Sequence, residues 1–400
     1  MDLVKNHIIK NNTKLLLIVL DGLGGLPVEN GKTELEMAKT PNLDRLAKES
    51  ALGMHIPVDY GITPGSGPGH LGIFGYNPVE YQIGRGVLEA LGLGLELRDT
   101  DIAVRGNYAT VEEFNGKLIV KDRRAGRIST EENVRITQKL ASAVKNLGDV
   151  QVILSPGMEH RFAVILRFPT PLPEVSDTLP DTDPQKEGYE PIIPQGEGVA
   201  KVVREFLERA QEVLKDEPKA NYVLLRGFSR KPKIESFEEK FGLKACAIAV
   251  YPMYRGLANL VGMEVFKAES LQEQIKLLKD MWESYDYFFF HIKKTDSYGE
   301  DGNWRGKVQV IEEFDSLIPE FLNLKPQVLV ITGDHSTPSV LKGHSWHPVP
   351  VLLHSPYVLG GTSERFTERE CLKGELGIFP AFKLINLMLA HSLRLSKFGA

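Results

Sequence analysis

Cysteine is nearly absent from this chain. The only two, Cys246 and Cys371, stand far apart in unrelated contexts, which argues against a disulfide framework or a thiolate metal site and fits a reducing compartment. Positive charge is not in excess either, since 48 Lys and Arg face 53 Asp and Glu for a net charge of -5. Proteins that live by phosphate-backbone contacts carry positive surfaces, so nucleic acid is not an expected partner. A small anionic substrate stays open, because a few arginines can dominate one pocket. No apolar run reaches the length needed to span a bilayer, and the polar stretch from Met1 to Thr13 holds no apolar segment of the signal-peptide kind. The expectation is a cytoplasmic protein with no membrane partner. Repeats of fixed period are missing as well. With 400 residues, 42% of them hydrophobic, the chain can bury a large core and exceeds one ordinary domain.

Three apolar runs read as buried strands that end at acidic residues. Leu15 to Leu20 precedes Asp21, Tyr287 to Ile292 stands shortly before Asp296, and Val328 to Thr332 comes just before Asp334-His335. In an open parallel sheet, residues just past the carboxyl ends of strands converge on one crevice, where ligands bind. An adjacent carboxylate and imidazole on a tight turn can address two neighbouring cations, so Asp334-His335 reads as the middle of a two-metal site. Strand and helix patterns alternate on both sides of residues 99–217, and that block has a different texture. It contains strands such as Ala103 to Val111, Val150 to Leu154 and Arg161 to Arg167, a helix from Thr130 to Asn146 and another from Val199 to Leu214. The fold class expected is therefore α/β: a doubly wound domain over 1–98 and 218–400, interrupted by a smaller inserted α+β domain over 99–217.

Between the first and second acidic strands lies Thr63-Pro64-Gly65-Ser66-Gly67-Pro68-Gly69-His70. It sets a hydroxyl among small residues where a helix could begin, and a helix N-terminus favours a phosphate or a serine alkoxide. A plain Gly/Pro loop would look similar. Arg85 on a glycine turn could bind phosphate or cap a helix. In the insert, Arg123, Arg124 and Arg127 crowd five positions, with Glu159-His160-Arg161 nearby in pattern, and guanidinium forks match phosphate or carboxylate. Such runs are also commonly solvated surface. The segment from Phe168 to Gly198 has seven prolines and reads as an irregular connection, within which Asp181-Thr182-Asp183-Pro184 could offer carboxylates to substrate hydroxyls or simply form a turn.

The candidate metal ligands are Asp21, Asp296, Glu300, Asp334, His335 and His344, with Ser66 beside them. Carboxylate and imidazole without thiolate suit Mn, Mg, Zn or Co. Any one of these residues alone would pass for a cap or a surface group, but three acids at equivalent strand ends would not.

With these residues in view the chain resembles the alkaline phosphatase superfamily, and more narrowly the archaeal-type, cofactor-independent phosphoglycerate mutases. The resemblance rests on Val19-Leu20-Asp21-Gly22, Thr40-Pro41-Asn42-Leu43-Asp44-Arg45-Leu46-Ala47, Thr63-Pro64-Gly65-Ser66, Asp296, Thr332-Gly333-Asp334-His335-Ser336-Thr337-Pro338 and Gly343-His344-Ser345, and extends over nearly the whole chain. It implies an alkaline-phosphatase-like metalloenzyme domain and two divalent ions. It also implies interconversion of 3-phosphoglycerate and 2-phosphoglycerate through a phosphoserine at Ser66, without 2,3-bisphosphoglycerate. By the same resemblance one ion would be held by Asp21, Ser66, Asp334 and His335, the other by Asp296 and His344. The insert would hold glycerate through Arg105, Arg123, Arg124, Arg127, His160, Arg161 and Asp181. Two departures are visible. Gly67-Pro68 follows the serine where many archaeal members have an acidic residue and Thr, and Glu300 stands four residues after Asp296 where the family commonly has His. The alternatives are a metal-dependent phosphomonoesterase, another phosphomutase on the same scaffold, or a metal-binding regulatory protein without activity.

Overall fold

A computed structural model describes residues 3–171 and 179–399. The part of the proline-rich connection at 172–178 lies outside the described residues. The chain divides into two compact units, Met1–Gln82 with Ile234–Ala400, and Ile83–Lys233.

The discontinuous unit is built on an eight-stranded sheet. In spatial order the strands are Glu264–Lys267, Ala245–Ala249, Tyr287–Ile292, Leu15–Leu20, Val328–Thr332, Val349–His354, Ala51–Ile56 and Gly377–Pro380. All run parallel except Val349–His354, which is antiparallel to both neighbours. The three central strands are buried along their whole length, which is why they read as continuous apolar runs rather than as alternation. Alternate residues Leu16, Ile18, Phe288 and Phe290 share a core with Leu43 and Leu46 of the helix Pro41–Lys48 and with Val310, Ile311 and Phe314 of the helix Trp304–Asp315. On the opposite face Phe289 meets Phe74, at the end of the helix Ser66–Ile73, with ring centroids 4.8 Å apart. The register pairs Leu20 with Ile292 and Val19 with Thr332. The three strands therefore end level, and the acids that follow them share one edge.

The other unit is an antiparallel sheet. Its order is Lys117–Asp122, Asp101–Phe114, Arg161–Arg167, Val150–Pro156 and Asn146–Leu147, with Tyr222–Arg230 also paired to Asp101–Phe114. The helices Thr130–Ala143 and Val199–Leu214 contribute Ile136, Leu140, Val203, Phe206, Leu207 and Ala210 to a core with Val104, Phe162 and Val164. Ser129 starts the first of these helices by accepting from the Glu132 N–H.

Several expected bounds move. The unit starts at Ile83 rather than 99 and ends at Lys233 rather than 217. The reason is that the helix Arg85–Gly92 packs on Asp101–Phe114 and Tyr222–Arg230, and that Tyr222–Arg230 is a strand of this sheet. The change of texture at 99 marks the first strand of the unit, not its first packed residue. In the discontinuous unit Trp304–Asp315 and Ile318–Asn323 are separate helices, because Pro319 suits the first turn of a helix and not its interior. No helix among the described residues is long and apolar enough to cross a membrane.

Candidate metal centre

The level strand ends gather two triads of potential ligands. Asp21, Asp334 and His335 form one and Asp296, His335 and His344 the other, each with one donor atom per residue lying within 4.8 Å of the others. Both Asp21 and Asp334 are fully buried. The Asp334 Oδ1 accepts from the Gly22 N–H at 3.1 Å, while its Oδ2 lies 3.1 Å from both His335 Nε2 and His70 Nδ1. The Asp21 carboxylate stands 3.4 Å from His335 Nε2, 3.3 Å from His291 Nε2 and 3.1 Å from Lys293 Nζ. These are ion-pair distances without hydrogen-bond alignment. Both Asp21 oxygens, Asp334 Oδ2 and His335 Nε2 are buried with no hydrogen-bond partner.

The imidazoles are oriented for the same purpose. The Thr337 hydroxyl donates to Asp296 Oδ1 at 2.6 Å, so the His335 Nδ1–H, 3.0 Å away, donates to Thr337 Oγ1 and leaves the Nε2 lone pair free. His344 donates from Nδ1 to the Pro64 carbonyl at 2.9 Å, again freeing Nε2, which lies 3.5 Å from Asp296 Oδ1 and 3.6 Å from Glu300 Oε1. The two rings stack with centroids 3.6 Å apart. Glu300 ends the helix Lys294–Glu300 one turn after Asp296, on the same face, but its side chain is 53% exposed.

Electrostatics point the same way. Burial works against the charge of His335, yet Asp334, Asp21 and Asp296 lift it to about 9. Burial pushes Asp21 up, and Asp334 adds to that, but His291 and Lys293 hold it below the ordinary carboxylate value. Burial likewise opposes the Lys293 ammonium, and Asp21 and Asp296 outweigh it, raising its pKa. Three buried aspartates thus face a single lysine ammonium, that of Lys293, which pairs with Asp21 and Asp296. Buried carboxylate oxygens without donors are costly unless a cation meets them. An oxygen and nitrogen donor set with free Nε2 atoms and partnerless Asp21 oxygens therefore fits divalent metal.

Ser66 is the first residue of its helix, half-buried, and its carbonyl accepts from His70 Nδ1 at 2.9 Å. The Tyr254 hydroxyl accepts from Lys293 Nζ at 3.1 Å. Two glycines permit the close approach. A Cβ on Gly69 would sit 2.7 Å from the Asp334 carbonyl, and Gly22, at φ +66°, would press one against Thr337 Oγ1 at 2.4 Å. Lys293, His70, His291, Tyr254 and Thr337 escaped the sequence reading.

In the second unit the arginines behave differently from one another. Arg105 faces Arg226 directly across antiparallel strands, beside an irregularity in the register between Ala103 and Arg105. Like charges in that position repel, and both Nε atoms are buried without a partner. Burial lowers the pKa of Arg105, Glu89 offsets this, and Arg161, Arg85 and Arg226 lower it further. His160 is buried with a partnerless Nδ1, and burial together with Arg161 takes it down to about 4 despite Glu159. Asp181 accepts from the Gly227 N–H at 2.6 Å and lies 3.5 Å from Arg226 Nε. Arg124, Arg127 and Arg161 are exposed, and Arg124 and Arg161 are charged neighbours of His160. Arg123 is engaged elsewhere, its fork closed on Asp183 by two 2.7 Å bonds. Arg226 is the residue the sequence reading left out here.

Comparison with known proteins agrees with this picture. The profile described as the metalloenzyme superfamily matches residues 13–391. The chain is 68% identical to a probable 2,3-bisphosphoglycerate-independent phosphoglycerate mutase of Aquifex aeolicus, covering 100% of both chains. It is 53% identical to the protein of that name from Thermus thermophilus, over 98% of this chain and 97% of that one. Among solved structures it is similar to the cofactor-independent phosphoglycerate mutase of Thermoplasma acidophilum, with 29% identity, a TM-score of 0.76, and coverage of 95% of this chain and 100% of that one. The chain belongs to the metalloenzyme superfamily and, within it, to the family of 2,3-bisphosphoglycerate-independent phosphoglycerate mutases.

Proposed function

We propose that the protein interconverts 3-phosphoglycerate and 2-phosphoglycerate through a phosphoserine at Ser66, with a two-metal centre held by Asp21, Ser66, Asp334 and His335 and by Asp296, His344 and Glu300. The observation that carries the reading is the pair of ligand triads sharing His335, with buried oxygens that have no donor, next to a serine at a helix N-terminus. Paired divalent ions, Mn, Mg, Zn or Co, supply charge neutralisation for the transferring group and lower the pKa of a bound hydroxyl.

The chain's own residues account for the rest. Ser66 Oγ forms the new bond to phosphorus as the bond to the glycerate 3-oxygen breaks, and the serine proton is balanced by the one that oxygen gains. The free amides at the start of Ser66–Ile73 and its dipole favour the phosphorylated serine. Lys293, 3.1 Å from both the Tyr254 hydroxyl and Asp21 Oδ2, supplies a positive charge among the proposed ligands. The glycerate then presents its 2-hydroxyl, the phosphoryl group returns, and no diphosphorylated cofactor is consumed. Retaining an alcohol between two transfers requires a separate grip, for which Arg105, Arg226 and His160 are suited by buried nitrogens without a hydrogen-bond partner and, with the exposed Arg161, by local positive charge, Arg124, Arg127 and Asp181 being the other candidates. Incubation with 3-phosphoglycerate and Mn, without 2,3-bisphosphoglycerate, should yield 2-phosphoglycerate. Release of inorganic phosphate instead would assign a phosphomonoesterase.

Two substitutions separate the parts. Arg105→Ala should lower mutase kcat/KM by about 10- to 100-fold, the worth of a charged hydrogen bond, and leave slow hydrolysis of a generic aryl phosphate within about threefold. Equal losses on both substrates would exclude a glycerate role. Arg123→Ala should instead reduce thermal stability, since it strips a buried Asp183 of its fork.

Glu300 stands where it can add an anionic oxygen to the Asp296 triad, but its exposure lets water compete. As a ligand it would favour harder ions such as Mn or Mg over Zn. Glu300→Gln should then weaken the second equivalent of Mn, and Glu300→His should restore binding with preference moved toward Zn or Co. Unchanged titration curves in both variants would show that Glu300 points to solvent.

A further inference from the structure

We propose that Lys307 is a positioning residue for the metal centre, a buried ammonium that fixes the two ligand-bearing loops against each other. It is fully buried on the helix Trp304–Asp315, and no ligand role falls to it. Its Nζ donates to the carbonyls of Gly22 at 2.8 Å, Gly24 at 3.1 Å and Thr337 at 2.9 Å. An ammonium has three N–H donors, and all three are used.

The acceptors explain why those bonds matter. Gly22 and Gly24 belong to the turn that follows Asp21, and Thr337 lies two residues beyond His335. The Thr337 N–H already spans the same gap to the Gly22 and Gly24 carbonyls, at 3.3 and 3.1 Å. Thr337 Oγ1 holds Asp296 and His335. Lys307 therefore closes a knot in which four ligands from three strand ends, Asp21, Asp296, Asp334 and His335, have their backbones or side chains fixed within one or two bonds.

A purely structural explanation is weaker. Packing at this position would be served by an apolar side chain, in line with Val310, Ile311 and Phe314 one and two turns along the same face. Glu34 and Glu368, besides the candidate ligand aspartates, favour its charge, yet the ammonium bonds carbonyls rather than carboxylates. Without it the Thr337 carbonyl would lose its ammonium donor, and the Gly22 and Gly24 carbonyls would share the Thr337 N–H alone. What those carbonyls have in common is that each sits on a loop carrying a ligand.

This inference rests on the two-metal reading, and Mn titration of the metal-stripped full chain separates the two. Wild type should bind two equivalents. If it binds none, the two-metal reading itself fails. Lys307→Met keeps chain length and removes every donor, so it should fold and bind Mn about 10- to 100-fold more weakly, as when outer-shell partners of metal ligands are removed. Lys307→Gln retains two donors and should fall between the two. Wild-type dissociation constants in either folded variant, with only the melting temperature lowered, would overturn the proposal. Failure of both variants to fold would also overturn it, because the lysine would then be supporting the core rather than aiming ligands.

Discussion

Ser66→Ala is expected to abolish interconversion of the two phosphoglycerates, by roughly 10⁴-fold or more if the serine is the covalent carrier. The same change should leave the fold nearly untouched. Ser66 is half-buried at the first helical position, its side chain makes no cap, and alanine is a good helix former, so a stability change within about 0.5 kcal/mol is expected. The His70 bond to the Ser66 carbonyl is made to backbone and survives the substitution. Loss of activity would therefore report on chemistry and not on collapse. Intact-mass measurement of wild type mixed with substrate should reveal a species heavier by one phosphoryl group, which the variant lacks. Near-normal turnover by Ser66→Ala, or the same added mass on it, would sink the phosphoserine mechanism.

The convergence of the candidate ligands was legible in the sequence because parallel strands advertise themselves as unbroken apolar runs, and each central run stops next to an acid. His335 was marked by standing next to Asp334, and His344 by the Gly343-His344-Ser345 segment of the family resemblance. What supports those ligands was harder to see. Lys293 and Thr337 lie within three residues of ligands, but a lysine or threonine after a strand is ordinarily solvated or a cap, so nothing marked them. Lys307 carried a clearer signal, as it shares helical spacing with Val310, Ile311 and Phe314, and a lysine on an apolar stripe requires a buried partner.

The insert shows the other limit. Arg105 and Arg226 are brought face to face by antiparallel register, which depends on an irregularity between Ala103 and Arg105 and has no counterpart in linear spacing. Arg123 looked equivalent to Arg124 and Arg127 in sequence. Its bond to Asp183, formed across 60 residues, removes it from the set of free guanidinium groups. Composition revealed that arginines cluster, but only the fold distinguishes a brace from a grip.

The second large effect concerns Asp21 and Asp296, one aspartate from each ligand triad. Asp21→Asn should remove the metal equivalent bound with Asp334, and Asp296→Asn the one bound with His344, while His335, common to both triads, keeps each variant able to bind the remaining ion. Both changes exchange a charged oxygen for a neutral amide of the same shape, so packing is preserved. In Asp296→Asn the amide can still accept from Thr337 or Lys293, which now bond the carboxylate at 2.6 and 2.5 Å. In Asp21→Asn the amide N–H can donate to the partnerless His291 Nε2, which lies 3.3 Å from the present Oδ2. Each variant should thus stay folded, bind one Mn per chain by titration, and lose at least about 10³-fold in turnover, because a single ion cannot neutralise both the attacking and the leaving oxygen. Excess Mn should not restore either. A variant that binds two equivalents, or one that binds a single equivalent and keeps near-normal turnover, would show that the reaction needs only one ion and that one of the triads has another use.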